Sequence, residues 1–187
     1  LMMLQGHFID GLLDPVYKAN SALGYSIWKY FRGMTAPVFF TVSGFIFTYL
    51  LVRGEQHGIK NPRVKKGVKR GIQLIFIGYL LRVNIWNWLG GYINSGFFLV
   101  DVLHCIGLSI LGIIAIYLLL GKPKLRMVFA LVLLALTCVL FLYEPYYDAI
   151  DYTTLPTFLE NYISKINGSV FTIIPWFGYT IFGGFVA

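Results

Sequence analysis

Apolar residues along this chain fall into blocks separated by short polar stretches. The blocks run over about 1–13, 36–52, 71–89, 97–120, 127–143 and 170–187. A helix that crosses a bilayer needs roughly 20 consecutive, mostly apolar residues. The pattern therefore predicts an all-α fold, a polytopic transmembrane helix bundle with about six spans, forming one domain over 1–187. Pro37 suits the first turn of the second helix. Between the first two blocks, Asp14 to Thr35 reads as a loop with Tyr17, Tyr25, Trp28 and Tyr30, aromatics that favour the membrane–water interface. The first block closes at Asp14-Pro15 well short of a full span, and the last stops at Ala187 inside an apolar run. Both features read as an internal piece of a longer protein. The opening run has no basic leader and no small-residue cleavage site, so it is not read as a signal peptide.

Composition supports the membrane reading. Hydrophobic residues make up 58% and charged residues 12%, against about 25% charged in a typical soluble domain. The net charge of +7 does not point to nucleic acid, because it is concentrated in one interhelical segment, RGEQHGIKNPRVKKGVKR, residues 53–70. Lys and Arg number seven there and three in 121–126, against three in 14–35, none in 90–96 and one in 144–168. An excess of Lys and Arg marks the cytoplasmic side. The segments 53–70 and 121–126 are thus expected in the cytoplasm and the other three outside. Cys105 and Cys138 both lie in apolar blocks and read as packing residues rather than a disulfide.

Ionisable side chains inside apolar spans are costly and usually face a protein interior or a water-filled cavity. Two such pairs occur: His7 with Asp10, and Asp101 with His104. A spacing of three places both members of a pair on one helix face. Under the expected topology these pairs lie toward the outer ends of the first and fourth spans. Arg82, Asn84 and Asn87 are expected in the outer third of the third span, and Trp176 near the outer start of the sixth. The expectation is a shared polar pocket near the outer rim. Plainer readings stand beside it: His7 as a packing residue, Asp10 as a cap, Asp101 as a helix-dipole charge, His104 as a structural hydrogen bond. Arg82 either snorkels to the interface or pairs with Asp101. Thr41, Gly44 and Thr48, and likewise Gly178, Gly183 and Gly184, read as small-residue stripes for close helix packing. Asn167-Gly168-Ser169 fits the glycosylation triplet but abuts the sixth span and is discounted. No HExxH or CxxC spacing occurs, so no metal is expected.

Several strings together resemble one family: LMMLQGHFIDGLLD, RGMTAPVFFTVSGFIFTYLL, the basic stretch running into GIQLIFIGYLLRVN, then DVLHCIGLSIL and FTIIPWFGYTIFGG. In this order they are similar to the heparan-alpha-glucosaminide N-acetyltransferase catalytic-domain family, within a wider group of transmembrane acyltransferases. The resemblance implies a bacterial member in the inner membrane. Such an enzyme takes an acyl group, typically acetyl from cytosolic acetyl-CoA, and delivers it to a sugar or glycan acceptor on the far side. It also puts His7 in the place of the histidine that follows the first-helix motif of related acyltransferases. The reading that follows has His7 as general base, with an acyl-histidine variant open, and Asp10 orienting the imidazole. Asp101, His104, Arg82 and Trp176 would bind the acceptor, and Arg63, Lys65, Lys66, Lys69 and Arg70 the donor's phosphates. The expected partners are the bilayer, acyl-CoA and the acceptor, with no nucleic acid and a homo-oligomer left open. The rival is a proton-coupled transporter, since intramembrane His and Asp also mark proton relays; a scaffold without chemistry ranks below both.

Overall fold

The computed structural model describes residues 2–18, 23–54, 56–92, 95–120, 123–152 and 154–187; for 2, 3, 10, 15, 18, 88, 95 and 123 it describes the backbone. Among the described residues the fold is all-helical: α1 (Met2–Leu12), α2 (Leu23–Val52), α3 (Pro62–Leu81), α4 (Ile85–Leu89), α5 (Val102–Leu120), α6 (Arg126–Leu142), α7 (Glu144–Asp148), α8 (Thr157–Ile163) and α9 (Ile173–Val186). The chain divides into two compact units, residues 1–39 and 40–187.

Helix boundaries depart from the apolar blocks in instructive ways. The segment expected as a loop up to Thr35 is helical from Leu23, and Pro37 lies inside α2 rather than at its start. Tyr25, Trp28 and Tyr30, expected as interfacial loop aromatics, are helical residues. On the same helix Arg32 lies over the Trp28 ring one turn back, 5.4 Å from its centroid, a cation–π pair at the i,i+4 spacing. The basic segment is likewise not all loop, for α3 begins at Pro62. Asn61 caps it by accepting from the Arg63 amide at 2.9 Å, and Pro62 occupies the first turn, where its missing N–H costs nothing. At the other end α3 stops at Leu81. Asn84 then accepts from the amides of Trp86 at 3.2 Å and Asn87 at 3.5 Å, which starts the short α4. Asn84 and Asn87 therefore do not continue the third helix.

In the unit 1–39, α1 meets the N-terminal half of α2 at Gly6, where an added Cβ would lie 2.8 Å from Arg32 Nε. In the unit 40–187, α3 packs along α5, α6 along α9, and α5 also against α9. Phe40, Leu51, Cys105, Ile113, Leu133 and Ile181 are fully buried in this core. Glycines set the closest approaches. Gly71 and Gly107 each face the other's carbonyl across α3 and α5. Gly44 of α2 abuts the Thr180 carbonyl, and Gly183 of α9 abuts the Thr41 carbonyl. This reciprocal fit is how small residues let helices touch backbone to backbone.

Many large apolar side chains remain exposed, among them Phe76 and Leu81 on α3, Leu119 on α5, and Met127 and Leu131 on α6. The helices α2 and α5 are long and apolar enough to cross a bilayer; α6 and α9 are apolar but shorter. Both cysteines are free, Cys105 buried and Cys138 exposed.

Candidate functional site

A connected polar arrangement in the unit 40–187 lies where α3 ends and α5 begins. Arg82 follows the last turn of α3 and Asp101 immediately precedes α5. The guanidinium grips the carboxylate with both prongs, Nε to Oδ2 at 2.7 Å and Nη2 to Oδ1 at 2.6 Å. Its third nitrogen donates to the Gly96 carbonyl at 3.1 Å. Arg82 thus ties the end of α3, the connecting segment and the start of α5 together. The planar fork suits this task where a lysine would not.

His104 sits one turn inside α5 and is fully buried. Its Nδ1 accepts from the Asp101 amide at 3.2 Å. This is the position from which a Glu or Gln reaches back in a capping box, here filled by an imidazole. A ring nitrogen that accepts carries no proton, so the ring is neutral with its proton on Nε2. That atom has no hydrogen-bond partner among the described residues. The ring stands edge-on to Tyr79, centroids 4.3 Å apart, and to Tyr162 at 6.3 Å. The two tyrosine hydroxyls bond each other at 2.9 Å. Gly78 makes room for the imidazole: a Cβ there would lie 2.5 Å from Cε1.

Tyr79 and Tyr162 were not singled out by the sequence. Tyr79 had a signal, since it lies one turn before Arg82 on the same helix face; Tyr162 comes from α8 and had none. Burial, then the Tyr79 hydroxyl, raises the Tyr162 phenol above its ordinary range. Asn161 beside it is buried, donates to the Phe98 carbonyl at 3.0 Å, and leaves its Oδ1 without a partner among the described residues.

Trp176, at the start of α9, packs its ring against Phe40, Phe171 and Tyr179. His7 is exposed on α1. The Asp10 side chain lies outside the described residues. Asp14 accepts from the Val16 amide at 2.9 Å and so caps the turn after α1. Arg63, Lys65, Lys66, Lys69 and Arg70 are all exposed on the first half of α3. The Asn167-Gly168-Ser169 triplet is structural, with Asn167 donating to Glu160 at 2.9 Å and Ser169 Oγ accepting from the buried Val100 amide at 3.1 Å.

An imidazole whose N–H is buried and unspent, held by an ion-paired frame, can donate to a carbonyl oxygen, a hydroxyl or a developing oxyanion. The sequence model of the family described as heparan-alpha-glucosaminide N-acetyltransferase, catalytic, matches residues 1–187, the whole chain. Neither a curated protein nor a solved structure matches the chain.

Proposed function

The chain belongs to the heparan-alpha-glucosaminide N-acetyltransferase catalytic family, and on that basis we propose a membrane-embedded acyltransferase that moves an acetyl group from acetyl-CoA to a sugar hydroxyl or amine. Family membership supports acyl transfer as the reaction class. The donor, the acceptor, the six-span topology with 53–70 and 121–126 in the cytoplasm, and the residue roles belong to the proposal. The observation that carries the site assignment is the unspent, buried Nε2–H of His104.

In this reading His104 is a hydrogen-bond donor toward acceptor or acyl oxygen, because its other nitrogen is occupied by the Asp101 amide. Arg82 and Asp101 hold it in place, and Trp176 offers an aromatic face of the kind sugars stack on. In the unit 1–39, His7 stands as the candidate general base and Asp10 as its candidate orienting carboxylate, roles that rest on the family resemblance. The exposed cations of α3, Arg63, Lys65, Lys66, Lys69 and Arg70, face the donor's phosphates. The large apolar side chains exposed on α3, α5 and α6 support a lipid-facing surface, as exposed apolar surface marks a membrane or partner contact.

The test is release of free CoA thiol from acetyl-CoA by the full chain in proteoliposomes, with and without amino sugars. Acceptor-dependent release is expected, and His7→Ala should abolish it while the protein still purifies as a monodisperse species. No release with any acceptor, together with donor-free uptake of a labelled solute, would favour a transporter instead.

A further inference from the structure

His104 offers a hydrogen bond that nothing outside the protein can reach. The ring is fully buried, yet its Nε2 has no partner among the described residues. A buried polar atom left unpaired costs stability, so one that persists implies a partner that arrives later. A ligand cannot come within hydrogen-bond distance of Nε2 while the ring is sealed. Part of its surroundings therefore has to move.

The walls around the imidazole differ in how firmly they are held. On α3, Gly78 lies against the ring and Tyr79 stands edge-on at 4.3 Å. That wall is fixed: Gly71 and Gly107 meet backbone to backbone, and the Arg82–Asp101 fork closes the end of the helix pair. Another wall is Tyr162 of α8, with its ring 6.3 Å away. α8 has seven residues, and its Phe158 and Leu159 side chains are exposed. Two hydrogen bonds reach from it to α3 and to the segment before α5. Asn161 Nδ2 donates to the Phe98 carbonyl at 3.0 Å, and the Tyr162 and Tyr79 hydroxyls bond each other at 2.9 Å. The chain leaves α8 through Gly168, whose φ of 96° only glycine adopts readily. Ser169 is then pinned by the Val100 amide. Short elements held by few buried contacts are the ones that open locally.

We propose that α8 is a cover that lifts to admit the acceptor sugar to His104, with the Tyr79–Tyr162 hydroxyl bond as its latch and Asn161 as a second sugar-binding residue. The cover rests on the burial of His104 and the geometry of α8; the identity of the ligand rests on the acyltransferase reading. Asn161 Oδ1 is buried and, like His104 Nε2, has no partner among the described residues. The amide oxygen accepts and the ring N–H donates. Sugar hydroxyls and amines do both, so a sugar closed under α8 meets both needs. Closure over it also excludes water, which would otherwise compete for the acyl group.

Cys105 reports the opening. It is free and buried, follows His104 on α5, and lies near enough to Tyr162 for its charge to be felt at the phenol. The full chain is placed in lipid nanodiscs, in a Cys138→Ser background, and treated with a small cationic thiol reagent. Tyr162→Phe removes the latch hydroxyl and keeps the ring; it is expected to speed labelling of Cys105 at least fivefold. Tyr147→Phe removes a hydroxyl bonded to the Leu140 carbonyl and is expected to leave the rate unchanged. Glucosamine and neutral hexoses are then added to the Tyr162→Phe protein. At least one is expected to slow labelling threefold or more, and a further Asn161→Ala change to abolish that protection. Equal rates with and without Tyr162→Phe would overturn the latch. Equal acceleration by Tyr147→Phe would mean general loosening and overturn the cover. No protection by any of the sugars would overturn the sugar's place under α8, and protection that survives Asn161→Ala would remove Asn161 from it. None of these readouts needs acetyl-CoA or turnover, so failure of the acyltransferase assay and failure of this inference are told apart.

Discussion

Arg82 and Asp101, nineteen residues apart, form a two-pronged ion pair with N–O distances of 2.7 and 2.6 Å. Their side chains are 23% and 38% exposed. The pair closes the connection between α3 and α5 and leaves the Asp101 amide aimed at His104. Its effect on His104 is thus positional: the carboxylate is engaged by arginine, and the backbone of the same residue fixes the imidazole tautomer.

Arg82→Ala should destabilise the protein by about 2 kcal/mol, between the values for exposed pairs and for buried ones. Arg82→Lys should recover part of that, since an ammonium cannot reproduce the fork. Melting temperatures in detergent for both variants, with Asp101→Asn to complete a double-mutant cycle, provide the check. Full retention of stability by Arg82→Ala would mean the pair is only superficial.

His104→Gln separates packing from chemistry. A glutamine carbonyl can take the Asp101 amide as in an ordinary capping box, so stability should stay within about 1 kcal/mol. Transfer should fall at least 100-fold, on the order of what a proton-handling or oxyanion-binding group supplies. Gly78→Ala attacks the same ring from behind, because its methyl would lie 2.5 Å from Cε1; overpacking of this kind costs about 1–3 kcal/mol. Steady-state kinetics beside thermal melts would resolve the two effects.

Gly44→Ala and Gly183→Ala should each prevent a stable fold, because the new methyl would collide with a backbone carbonyl on the partner helix and no rotamer relieves it. Gly33→Ala, with nothing within 4 Å of its added Cβ, should be neutral or slightly stabilising through helix propensity. The yield of monodisperse protein after detergent extraction reports the contrast.

Tyr147 donates to the Leu140 carbonyl at 2.7 Å, and burial, followed by the charges of Glu144 and Asp148, pushes its phenol up to about 12. A raised value in the folded state means that the fold favours the protonated form. The associated stability is complete below about pH 10, the ordinary tyrosine value, and is lost as pH rises toward 12. Tyr147→Phe should flatten that part of the alkaline decline in melting temperature, measured between pH 9 and 12.

The local signals in the sequence were of unequal quality. Asn61-Pro62 is a strong helix start, yet the cations after it read as loop because charge was weighed above capping. Asp101 and His104 declared themselves through their spacing, and the Arg82–Asp101 pairing was one of two readings open for the arginine. Tyr162 carried no signal. It reaches His104 from a short helix far along the chain, and neither periodicity nor charge encodes which loop folds back over which helix end. Nor did the apolar blocks show that Asn84 would interrupt the third one, because a cap depends on where the preceding helix has already stopped.

Composition and periodicity by themselves determined that this protein is helical, that its helices carry wide apolar faces and that its cations are grouped, because these follow from side-chain chemistry counted along the chain. The α3–α5 register was decided only by the tertiary structure. Two glycines facing each other's carbonyls set which residues of α3 and α5 stand at the same height, and so bring Gly78 of α3 against the His104 ring. Height is a relation between helices, and no single helix holds it in its own sequence.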